Sequence, residues 1–246
     1  MAVAPTLARA EPVAVKYTEG VVHGFLVLRT LEGTPIADGD MTQVPRGGRV
    51  TNHLVFHFRD GSLHDEKVVF TQHGYFRLVS YHLLQKGPSF QRSMEVTLDG
   101  ASGKVSIRYT DEDGKEKALT PDVKVPDDVS NGLVFTLLKN IDPKGARTTV
   151  SYMVATPKPR LVKFVVTPQG VEPFSIGSSA RKANHFQIKV DVGGAAGLVA
   201  PFVGKQPPDI HVWISEGEAP TFVKSEQPLY EGGPVWRIEL ATPSRQ

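Results

Sequence analysis

Cysteine is missing from all 246 residues. Disulfides, thiolate nucleophiles and Cys-ligated zinc are thereby excluded. Also missing is any apolar run near the roughly 18 residues that a membrane-crossing helix needs. Charge of one sign is not in excess: 28 basic and 26 acidic residues leave a net charge of +2. The basic residues are spread along the chain, and the densest stretch, 158–163, is broken by Pro159 and apolar side chains. With no basic stripe to track phosphates, nucleic acid is not an expected partner. Catalytic signatures are absent too. The chain has no G-x-S-x-G elbow, no H-E-x-x-H helix, no G-x-G-x-x-G turn and no Walker loop.

What is present is ordinary for a globular protein: 40% hydrophobic and 22% charged residues. A chain of this length folds as one large β domain without covalent staples, burying roughly 70% of its unfolded surface. We place that domain at 16–243, after a flexible leader over 1–15. In the leader, Ala8-Arg9-Ala10 followed by Glu11-Pro12 fits the small-x-small cleavage pattern of a secretory signal. A signal-peptide remnant there makes a periplasmic or secreted location the expectation.

Strand patterns dominate the rest. They cover 21–31, 36–44, 52–59, 62–71, 75–84, 89–98 and 104–110, then 147–155, 160–167, 170–176, 185–192, 210–215, 220–226 and 235–240. Asp38-Gly39-Asp40 reads as a bulge or turn. Leu54, Phe56 and Phe58 alternate with His53, Val55, His57 and Arg59. Asp60-Gly61 then reads as a two-residue turn, which sets His57 opposite His64 and Val55 opposite Glu66. Connections this short join antiparallel neighbours. The fold class is therefore mostly β: a large curved antiparallel sheet, meander-like, closing to a barrel or half-barrel.

Two segments break the pattern and serve as covers. Val129, Leu133, Leu137 and Ile141 recur at i, i+4, with Val134 and Leu138 beside them. This is an amphipathic helix of about 14 residues, about 21 Å long. Asp127 or Asp128 caps it, and Asp142-Pro143-Lys144-Gly145 ends it. The second cover, 193–204, is a Gly-rich apolar stretch read as a short helix or a hydrophobic loop.

Candidate chemistry is sparse. Five of the eight histidines lie between His53 and His82. On the expected register His53, His57, His64 and Glu66 share a sheet face, and such a set suits a divalent metal. The plainer reading is a solvated polar face. Asp38/Asp40, Asp111/Asp113 and Asp127/Asp128 sit at turns or a helix start, where carboxylates are structural. The covers either plug the core or lid a cavity for a hydrophobic ligand. In the second case Leu133, Phe135, Leu137, Leu198 and Phe202 line its mouth.

The stretches Pro126-Asp127-Asp128-Val129-Ser130-Asn131-Gly132 leading into Leu137-Leu138-Lys139-Asn140, 200–209 and 232–240 resemble a group of uncharacterised, exported bacterial β-rich proteins of unknown function. A curved antiparallel sheet with helical covers is also loosely similar to the periplasmic lipoprotein-carrier fold. That likeness implies a fold and transfers no site residue. The expected function is a periplasmic or secreted binding protein for a hydrophobic or amphipathic, lipid-like ligand, with no resident cofactor. The alternatives are a metal-dependent hydrolase built on the histidine hairpin and a structural module of the cell envelope.

Overall fold

Alternation of apolar and polar side chains builds most of the molecule. The computed structural model describes residues 12–157, 159–176, 179–192 and 207–241. Its first strands are β1 (Val22–Arg29), β2 (Pro35–Arg46), β3 (Arg49–Phe58), β4 (Leu63–His73) and β5 (Tyr75–Lys86). The short strands β6 (Met94–Asp99), β7 (Val105–Thr110) and β8 (Glu116–Leu119) follow. After the helix α1 (Val134–Asn140) come β9 (Thr148–Val154), β10 (Arg160–Ile176) and β11 (Ser179–Asp191). The last are β12 (Ile210–Ser215), β13 (Phe222–Gln227) and β14 (Trp236–Leu240).

Among the described residues all 14 strands form one sheet, ordered β8-β7-β6-β5-β4-β3-β2-β1-β14-β13-β12-β11-β10-β9. Every pair of consecutive strands except β8 and β9 is antiparallel, and β1 pairs with β14 with Leu26 opposite Leu240. The sheet is thus a meander whose two chain ends meet in its middle. Among the described residues it is not closed: β8 and β9 are its edges. It curls, because one cavity is lined from β3, β4, β5 and β6 on one side and from β9 to β14 on the other. The inner face carries Leu28, Phe56, Phe70, Ile107, Phe186, Ile188 and Ile238, all at or below 1% exposure.

Several elements differ from the sequence expectation. Gly39 is neither bulge nor turn; β2 runs straight through it, opposite Leu26 and Phe56. A Cβ there would lie 2.5 Å from the Phe56 ring, so the glycine makes room for that ring. The stretches 160–167 and 170–176 are one strand, bent at a bulge between Pro168 and Gly170. The helix has only seven residues. Its expected first half does other work at the open edge of β9. The Asp128 carboxylate accepts from the Ser151 N–H (3.0 Å) and hydroxyl (2.8 Å). The Asn131 side chain donates to Met153 O and accepts from Met153 N, both at 2.9 Å, as a neighbouring strand would. An edge left bare would leave buried backbone groups unpaired.

The helix packs inside the curl. Leu133, Leu137, Leu138 and Ile141 are buried, and the Phe135 ring lies 4.6 Å from that of Phe222 on β13. Residues read as leader contribute as well: Val13 is in the core, Val15 N donates to Gly74 O, and Phe76 N donates to Val13 O. Asn140 Oδ1 accepts from Lys16 N and Tyr17 N at 2.8 Å each. The buried Glu19 pairs with Lys139 at 2.6 Å.

Candidate functional site

The β3–β4 hairpin decides what faces the interior. Phe58 N donates to Ser62 O, and Gly61 stands at φ 85°, so the loop holds three residues, 59–61. One extra loop residue shifts the partner strand by one position, which exchanges its two faces. Leu54 stands opposite Glu66, Phe56 opposite His64, and Val55 opposite Asp65. His64 and Glu66 therefore point inward with Val68 and Phe70. His57 is exposed, and His53 pairs with Asp65 at 2.8 Å on the outer face. The four residues read from sequence as a metal set are split between the two faces.

Inside, His64 and Glu66 meet a cavity of about 200 Å³. Leu54, Leu83, Met94, Val162, Phe164 and Ile210 give it apolar walls, and α1 contributes Val134 and Phe135. Its polar content is concentrated. The Tyr81 hydroxyl donates to Glu66 Oε1 at 2.9 Å, and Tyr152 interacts with Tyr81 from β9. Burial pushes the Glu66 carboxyl above the usual carboxylate range, and the Tyr81 bond opposes that shift. Both tyrosine hydroxyls are held above their ordinary range, chiefly by burial and then by the nearby Glu66 charge.

His64 is 4% exposed, and burial lowers its pKa to about 4. Its hydrogen bonding agrees. Gln85 Nε2 lies 2.8 Å from Leu229 O and 3.0 Å from His64 Nδ1. Both amide hydrogens are thus donated, so Nδ1 must accept and the proton sits on Nε2. A second proton on Nδ1 would oppose the Gln85 amide. At the mouth, the half-exposed Arg160 and Glu231 pair at 2.5 Å. This ion pair ties the start of β10 to the loop between β13 and β14.

Of the ligand residues read from sequence, Phe135 lines the cavity. Leu133 and Leu137 belong to the core beside it. Leu198 and Phe202 lie outside the described residues. Sequence reasoning missed Tyr81, Gln85, Tyr152 and Arg160. A bulge at Val79 hides the first two, because it shifts the inward phase of β5 from Phe76 and Leu78 to Tyr81, Leu83 and Gln85. The alternation did offer one signal: His64 and Glu66 are in phase with Val68 and Phe70, the apolar side of their own strand.

A second cluster lies on the outer face. The Trp213 indole donates to Glu172 Oε2 at 2.7 Å, and His185 joins Glu172 Oε1 (2.8 Å) to His211 Nδ1 (2.9 Å). The His185 and Trp213 rings stack at 4.4 Å, and Lys224 caps the indole at 4.0 Å. These groups satisfy one another and pin β10 through β13 together. Among the described residues no group of three or more His, Asp or Glu is placed to hold a metal ion.

A family model described as a protein of unknown function, DUF3108, matches residues 39–233. No curated protein matches the chain. Among solved structures, a β-barrel-like protein of the domain of unknown function DUF1849 from Brucella abortus is similar. It shares 10% identity and a TM-score of 0.46, over 90% of this chain and 94% of that one.

Proposed function

The chain belongs to the DUF3108 family of proteins of unknown function, and from that premise we propose that it binds one small amphipathic molecule inside the curled sheet. One observation carries the reading: one cavity inside the curled sheet joins apolar walls to a few convergent, perturbed polar groups. Ligand sites have this composition. A void with apolar walls costs packing contacts, and a carboxyl at its side costs desolvation. A fold with no ligand to hold gains by filling both. The volume suits a slender molecule of about ten heavy atoms, since a 150 Å³ cavity is enough for benzene. The Ala8-Arg9-Ala10 pattern supports a location outside the cytoplasm.

Organic extraction of protein purified from its own cells, followed by mass spectrometry, tests the reading. The expected result is one class of small amphiphile in near-stoichiometric amount. It should be missing from an Ala155→Trp variant, whose indole fills the cavity. An extract free of small molecules from both proteins contradicts the reading.

A further inference from the structure

Resting on the reading of this cavity as a ligand site, the polar groups inside it constrain the ligand's own polar group. His64 is more than nine-tenths buried and lines the cavity. Its Nδ1 is taken by Gln85, so its free hydrogen-bonding atom is a donor, Nε2–H. No protein acceptor meets that Nε2 among the described residues. Glu66 stands two residues along the same face of β4 and also lines the cavity. Tyr81 occupies its Oε1. Its Oε2 has no protein partner among the described residues.

The two free atoms sit on side chains whose Cα atoms are about 7 Å apart, twice the strand rise. Side chains at that spacing on one strand face project the same way, so both ends can reach one ligand group, each through a hydrogen bond of about 2.8 Å. The group must accept from His64 and meet the Glu66 oxygen. An alcohol or a primary amide does both.

Charged groups fit less well. The cavity's cation, Arg160, lies at the mouth and faces Glu231, far enough out to be half-exposed. A ligand carboxylate in the depth would sit beside Glu66 with no cation to offset it among the described residues. An ammonium would give His64 no acceptor and would have to shed its water against a single carboxyl.

We propose that the cavity selects molecules with an uncharged hydroxyl or amide group at the end of an apolar body, bridged between His64 Nε2–H and the Glu66 carboxyl. The discrimination is built from one strand face, β4, with Gln85 fixing the orientation of His64. Fatty acids, by this argument, are poor ligands despite the apolar walls.

The test compares four probes of one chain length on the intact wild-type protein at pH 7.5: 1-octanol, octanamide, octanoate and octylammonium, titrated by calorimetry. Octanol and octanamide should bind, with octanoate and octylammonium about tenfold or more weaker. In Glu66→Gln, whose amide oxygen still accepts from Tyr81, the gap between octanol and octanoate should narrow to about threefold. Octanoate or octylammonium binding wild type as tightly as octanol overturns the selectivity while leaving a ligand site. Binding by none of the four overturns the ligand site itself, and this inference with it. The comparison on wild type decides the matter even if the variant misfolds.

Discussion

Gln85 donates both amide hydrogens, one to Leu229 O and one to His64 Nδ1, and this makes the buried imidazole neutral. The folded protein then binds fewer protons at His64 than the unfolded chain between pH 6.5 and about 4. Stability from this group is present above pH 6.5 and is lost as the pH falls toward 4, by about 3 kcal/mol in all. Glu66 has the opposite sign. Its raised pKa means the folded state holds the proton more tightly, so its contribution falls as the pH rises from the ordinary carboxylate value. Urea unfolding at pH 7.5 and pH 5 separates the two. His64→Gln should lose about 2 kcal/mol less than wild type over that step, whereas an equal loss in both would rule out a buried neutral His64. A second residue-scale prediction concerns Ser225. Its hydroxyl is fully buried opposite Val212 and Ile238 with no partner among the described residues. Ser225→Ala should therefore raise stability by up to about 1 kcal/mol; a clear loss in the denaturant midpoint would show that the hydroxyl is bonded.

Among the elements, β2 and the edge of β9 carry the sharpest expectations. Gly39→Ala drives a methyl group into the Phe56 ring and toward Leu26 Cβ, 2.9 Å away. The cost should be about 1–3 kcal/mol in thermal or denaturant unfolding, and an unchanged midpoint would show that the sheet yields freely there. Asn131→Ala leaves Met153 N and O unpaired at a buried edge. The expected loss is about 2 kcal/mol or more, with faster hydrogen exchange at the Met153 amide. Protection at Met153 equal to wild type would mean another group covers the edge. These two sites also show where sequence legibility stops. Strand alternation was readable, so Leu54, Phe56 and Phe58 were placed on one face. The helix was read too long because Val129, Leu133 and Leu137 keep helical spacing, although 128–131 is committed to β9 through side-chain bonds that no periodicity reveals. The bulge at Val79 and the third loop residue before Ser62 each move a whole strand face by one position.

For the whole molecule, the antiparallel sheet was legible from the short connections between strands. Its strand order was not, because the β1–β14 pairing joins the first and last strands. The cavity depends on that pairing and on β9 lying across from β5, which brings Tyr152 to Tyr81. Half the candidate site was therefore present in one hairpin, as His64 and Glu66. The other half arrives from strands far away in sequence. Calorimetric titration of 1-octanol into wild type and Ala155→Trp, at several temperatures, tests the central claim most directly. Saturable one-to-one binding to wild type with a negative heat-capacity change, the mark of apolar burial, and its loss in the variant are the expected result. Absence of binding to wild type, or identical binding to both proteins, would contradict it.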